Sequence, residues 1–183
     1  MSVIRAPHLL LRPFEDSDAA AFAVAVRESV SSVGPWMPWC HAQYTDSDAL
    51  DWFRVARETL SRGTAHEFGV FSADGRHFLG GAGLNQINTQ HKYCNLGYWV
   101  RQSEQRKGVA LACVHALAEH AFTDLQLHRV EIVAAVGNEP SVGVARKAGA
   151  QFECTARNKL FLHGSPVAAN VFSLVPGDIR NKH

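Results

Sequence analysis

Two rhythms of apolar residues run along this chain, one recurring every three to four positions and one suited to extended backbone, and their order predicts the fold. "HLLLR" (8 to 12) reads as a short strand ended by Pro13. From Ser17 to Val30, Ala19, Phe22, Val26 and Val30 recur at helical spacing behind the capping residues of "EDSD". "GPWMPWCHAQY" (34 to 44) holds two prolines and three large aromatics without any period, so it reads as an unusually apolar loop. A second helix follows Thr45. Leu50, Phe53, Ala56 and Leu60 share its expected buried face, Asp48 completes a capping-box pattern, and Gly63 is the stop.

The middle of the chain changes to strand patterning. "HEFGVF" (66 to 71) and "HFLGGAGLNQI" (77 to 87) flank the hairpin signal of "ADGR", and "KYCNLGYWV" (92 to 100) continues the meander. Ala110, Val114, Leu117, Ala121 and Leu125 then trace a helix running to about Asp124. "HRVEIVAAV" (128 to 136) reads as a buried strand, "NEPSVGVARKAG" (138 to 149) as a short helix stopped by Gly149, and two last strands surround "LHGSP" (162 to 166). The order β-α-α-β-β-β-α-β-α-β-β predicts one α/β (α+β) domain over residues 1–183, a mixed, largely antiparallel sheet flanked by about four helices. No repeat or low-complexity linker divides it.

Composition removes several functions. Eighteen lysines and arginines against 17 acidic residues leave a net charge of +1, so no basic field draws the chain to nucleic acid or an anionic membrane. The amino terminus, broken by Arg12 and Pro13, is neither a signal peptide nor a span, which predicts a cytoplasmic protein. Cysteines 40, 94, 113 and 154 form no CxxC pair and read as small buried apolar residues, without disulfides. His115 and His120 are five apart, on different helix faces, and no HxxxH or HExxH occurs, so no metal is expected.

One short stretch stands out. "QRKGVA" (105 to 110) joins a strand to a helix, where the free N–H groups and the helix dipole favour an anion. Gly108 lets a phosphate approach the backbone, and Arg106 and Lys107 can balance its charge, so a diphosphate fits. A P-loop needs GxxxxGK[ST] and a dinucleotide fold needs GxGxxG before a helix. "GGAG" (80 to 83) meets neither requirement, because more strand follows it.

Together, "NLGYWV", "QRKGVA" and "NEPSVGVARKAG" resemble the GNAT superfamily of N-acetyltransferases, in particular its RimJ/RimL-type ribosomal-protein branch. The likeness runs from "HLLLRPFEDSDA" to "AANVFSLV", nearly the whole chain. It implies that Gln105, Arg106, Lys107, Gly108, Val109 and Ala110 hold the pyrophosphate of acetyl-CoA. It implies also a splayed or bulged strand near Trp99 and Val100 that pairs with the pantetheine arm, with Asn138 touching pantetheine and Ser141 near the thiol. A dimer is common in the family and compatible with the apolar C-terminal strands.

Amine acetylation needs a neutral nucleophile, a polarised carbonyl and a proton for the departing thiolate. Backbone amides after Tyr98 can polarise the carbonyl, and Ser141 is the candidate to protonate the sulfur. Where many relatives carry a glutamate base, this chain has Asn95, and it has Leu160 where the RimL-type pattern places another. Asn95 cannot take a proton at neutral pH, which leaves Glu67, His41 or a water chain. Without a dedicated base, α-amines are favoured. Near pKa ~7.8 roughly a tenth is neutral at pH 7, against well under ~0.1% for lysine. Trp36, Met37 and Trp39 offer an apolar substrate wall, and residues 29 to 45 carry no acid for a polyamine. Three acceptors or roles stay open: a protein or peptide N-terminal α-amine, a small-molecule amine such as an antibiotic or metabolite, or non-catalytic binding of acyl-CoA.

Overall fold

Among the described residues, eight strands form one sheet: β1 (Ile4–Ala6), β2 (Leu9–Arg12), β3 (His66–Ser72), β4 (Phe78–Asn88), β5 (Tyr93–Val100), β6 (Arg129–Ala135), β7 (Gln151–Leu162) and β8 (Ser165–Leu174). Their order is β1-β2-β3-β4-β5-β6-β8-β7. Every neighbouring pair is antiparallel except β5 and β6. The computed structural model describes residues 3–180; the remaining ends of the expected domain, 1–2 and 181–183, lie outside the described residues. The Asp74-Gly75 turn joins β3 to β4 as its sequence predicts, with Gly75 at φ 75°.

Among the described residues are six α-helices: α1 (Ala19–Glu28), α2 (Val30–Val33), α3 (Asp46–Ser61), α4 (Val109–Thr123), α5 (Glu139–Lys147) and α6 (Pro176–Arg180). Four of them run beyond two turns, matching the expected number. Strand alternation divides the core between the two faces of the sheet. Phe68, Val70, Leu84, Leu96 and Ile132 join α4 and α5 in one cluster, which includes Val114 and Leu117. Phe71 and Phe78 point the other way and pack with Phe14, Phe22 and Phe53 under α1 and α3. Phe14 stacks on Phe53 at 4.6 Å, and Phe22 meets Phe53 edge-on at 5.4 Å.

Three local expectations are corrected. The first helix does not run unbroken to Val30. It ends at Glu28 because buried Ser29 leaves helical geometry (ψ 6°) and its hydroxyl bonds back to the Ala25 carbonyl at 2.6 Å. On α3 it is Ala49, not Leu50, that joins Phe53 and Ala56 inside, while Leu50 is 40% exposed. Cys154 is exposed on β7, which lies at the sheet edge. The Thr45–Asp48 capping box forms as its spacing predicts, with Asp48 N–H donating to Thr45 Oγ1 at 3.2 Å.

Candidate active site

Register brings the chemistry together. Glu67 on β3 pairs with Gly83 on β4, which pairs with Gly97 on β5, so the three share the α1/α3 face of the sheet. A side chain on Gly83 would collide with the Glu67 carboxylate, and one on Gly81 would meet the Trp99 indole nitrogen at 2.6 Å. The glycines of "GGAG" therefore clear a trough in the sheet face, and Glu67 and Trp99 lie across it. One register step away, Asn95 Nδ2 donates to Asn85 Oδ1 at 2.9 Å, and Asn85 Nδ2 donates weakly to Glu67 Oε1 at 3.4 Å.

Over this trough lies a cavity of about 300 Å³ walled by Phe14, Phe22, Met37, Trp39, Tyr44, Trp52 and Trp99, with Glu67 and Asn85 in its floor. The walls brace one another, Trp99 meeting Phe22 at 5.4 Å and Trp39 at 5.5 Å. Burial among these rings pushes the Glu67 carboxyl up to about 7, the Asn85 contact opposing only part of the shift. A carboxyl poised there can take up or release a proton near neutral pH.

A second polar corner lies where β5 and β6 part. Their parallel pairing covers only Tyr93–Arg129, Cys94–Val130 and Asn95–Glu131, although β5 continues to Val100 and β6 to Ala135. The expected splay is thus present. Of the two forms expected, the strand is splayed and not bulged at Trp99 and Val100, where β5 stays in register with Gly81 and Gly80; the irregularity falls between Asn85 and Asn88 of β4. Tyr98 Oη donates to the Ser141 carbonyl at 3.1 Å and lies 3.1 Å from Ser141 Oγ. Burial pushes the Tyr98 phenol up to about 12, so it keeps its proton. Asn138 caps α5 by accepting from Ser141 N–H at 3.3 Å.

The loop before α4 is held from two sides. Gly108 caps α4 in the left-handed region (φ 83°) with Arg106 also left-handed (φ 63°), and a Cβ on Gly108 would meet nothing within 4 Å. Backbone N–H groups at this helix start are open to an anion, as a diphosphate requires. Gln105 is occupied in bracing, its Nε2 donating to Val100 O and Ser32 Oγ at 3.0 Å each. Lys107 pairs with Glu104 at 3.0 Å on the surface. Val109 is buried and Ala110 packs on the core, so both serve through their backbone. Glu28, at the end of α1, receives the Arg101 guanidinium and the Ser103 N–H, the latter at 2.7 Å.

The sequence candidates separate accordingly. Trp39 lines the cavity, but Trp36 does not; its ring stands 3.7 Å from where a Gly137 side chain would begin. His41 is exposed, against Tyr44 at 5.8 Å, and Leu160 lies on β7, outside the cavity lining. Glu67 alone of the proposed bases enters the cavity. Asn85, Gly97 and the hydroxyl of Tyr98 were not singled out by the sequence, and Gly83 entered it only within the "GGAG" stretch that was set aside as a phosphate loop. The available signal was glycine at alternate positions in paired strands opposite a lone acid, which is legible only once the register is known.

Residues 8–151 match the acetyltransferase (GNAT) domain, and the chain belongs to that family. The Bacillus subtilis (strain 168) protein named "Putative ribosomal N-acetyltransferase YdaF" is 29% identical over 164 residues, 86% of this chain and 85% of that one. RimL, a ribosomal L7/L12 α-N-protein acetyltransferase solved with coenzyme A, superposes with TM-score 0.86 at 21% identity, over 95% of this chain and 98% of its own. Mycobacterium smegmatis RimJ with CoA-disulfide gives 0.87 at 23%, over 97% and 88%. The structures show the shared fold. The family match makes the chain an acetyltransferase of GNAT type, and its curated relatives carry N-acetyltransferase names.

Proposed function

We propose that this protein moves the acetyl group of acetyl-CoA to the α-amine of a protein or peptide N-terminus, with Glu67 as the base. The observation that carries this reading is a carboxyl poised near 7 in the floor of an aromatic cavity. An α-amine near ~7.8 hands its proton to such a group at a cost of roughly 1 kcal/mol, whereas a lysine near ~10.4 requires roughly 5. The site therefore favours the weaker base. The names "Putative ribosomal N-acetyltransferase YdaF" and RimL, "Ribosomal L7/L12 alpha-N-protein acetyltransferase", support the same acceptor.

Acetyl-CoA supplies the activated thioester. Its diphosphate suits the N–H groups from Gly108 to Ala110, with Arg106 as the principal cation, since Lys107 already has Glu104 and Gln105 braces the loop. The unpaired edges of β5 and β6 suit an extended, amide-bearing arm such as pantetheine. Ser141 and Tyr98, hydrogen-bonded at the splay, hold the proton that a departing thiolate needs.

The test compares two peptides at pH 7, one with a free N-terminus and no lysine, the other with a blocked N-terminus and one lysine. Glu67 as base predicts kcat/KM at least about 100-fold higher for the α-amine. Equal rates overturn the reading.

A further inference from the structure

We propose that the cavity above Glu67 is a side-chain pocket selecting acceptors whose amine-bearing carbon carries a large apolar group, as in a peptide beginning with leucine, methionine or phenylalanine. The inference rests on the α-amine reading and deepens it. Three observations support it. Glu67 is the one charged side chain of the lining and Asn85 its one amide; the rest is aromatic rings, two of them tyrosines, with Met37, Ala82 and glycine. A first residue whose amine reaches Glu67 therefore extends its side chain among Phe14, Trp39, Tyr44 and Trp52. There a charged group is left without a partner, and a small hydroxylated one leaves the space unfilled.

The walls are also fixed before a ligand arrives. Trp99 and Phe22 belong to a continuous set of ring contacts reaching Phe53 and Phe78. A preformed apolar pocket discriminates by fit and not by reshaping. Its volume of about 300 Å³ stands at the lower end of the range of ligand pockets, about 300–1,000 Å³, enough for a side chain and its amine.

Gly97 is the natural control point. It lines the cavity on the Glu67 row, and a Cβ built there meets only Asn85 Nδ2, at 3.8 Å, an ordinary contact. A larger residue at this position narrows the pocket without opposing the backbone.

The experiment measures kcat/KM with acetyl-CoA on peptides identical except for the first residue (Leu, Met, Phe, Ala, Ser, Asp) and on free phenethylamine. Wild type is expected to prefer Leu, Met or Phe over Ser and Asp by at least about tenfold, the scale on which apolar pockets discriminate. Gly97→Val should cut the Phe-to-Ala ratio about tenfold, and Trp52→Ala, a second variant from the opposite wall, should change the same ratio. An acetyl-CoA thermal shift checks that each variant is folded. Peptides acetylated with Ser or Ala preferred overturn the side-chain pocket while leaving α-amine transfer intact. Turnover of phenethylamine with no peptide overturns the peptide acceptor itself, and the pocket then belongs to a free amine.

Discussion

Glu67 is held in a state that opposes folding and serves chemistry. Its carboxyl ordinarily titrates near 4.5 and sits near 7 here. Between those values the folded chain binds more protons than the unfolded one, so stability falls as pH rises from about 4.5 to 7 and stays lowered above. Glu67→Gln removes the charge that burial penalises. By chemical denaturation it is expected to match wild type at pH 4.5 and to exceed it at pH 8, by at most about 3 kcal/mol. The same substitution should lower kcat/KM on an N-terminal peptide by about 10²- to 10⁴-fold and abolish the rise in activity between pH 6 and 8. Opposite signs on stability and activity separate a base from a structural acid. At the second corner, Tyr98→Phe is expected to lower kcat about 100-fold, read from single-turnover rates, with the KM for acetyl-CoA little changed. The individual residues were the least legible part of the sequence. "HEFGVF" looks like any half-buried strand, and nothing local says that its acid faces two glycines from two other strands.

The elements were legible because each carries its own period, cap or turn. The four longer helices, the Asp74-Gly75 hairpin and the Thr45 capping box all follow from spacing. The break at Ser29 was hidden, since Val30 and Val33 continue the apolar rhythm past it. That break brings the end of α1 to the loop before α4. Ser29 Oγ accepts from Gln102 N–H at 3.0 Å, and Arg101 holds the Glu28 carboxyl well below its usual range, at about 2. A depressed carboxyl contributes stability above about 4.5 that is lost as pH falls toward 2. Glu28→Gln is expected to cost roughly 1 kcal/mol at pH 7, after screening by solvent. It should also raise the KM for acetyl-CoA severalfold through the loosened loop, which a steady-state titration will read. The loop 34–44 was correctly read as irregular and apolar. Its division of labour, Trp39 inward and Trp36 toward Gly137, depends on contacts with distant parts of the chain.

For the molecule as a whole, the element order gave a mixed α/β sheet, and it was the resemblance of three motifs, in order and spacing, to a known family that named the fold. The strand order β6-β8-β7 was beyond reach, as the last strand inserts between two earlier ones. Acetyl-CoA at about a hundredfold over its dissociation constant should add ~2.7 kcal/mol to wild-type stability, measured as a thermal shift. Gly108→Trp, which forces a bulky residue into the left-handed region at the helix start, should abolish that gain. The short β5–β6 pairing reaches further than the site. Strands β1 to β5 and the trio β6, β8 and β7 are bonded to each other through only three register pairs, so the sheet is two panels joined along a seam. Cooperative opening should begin there, and those β5 amides beyond Asn95 that point toward β6 should exchange with deuterium far sooner than those bonded to β4. On the proposed function acetyl-CoA bridges this seam and mends the sheet, so the enzyme's resistance to proteases should rise and fall with its supply of acetyl donor.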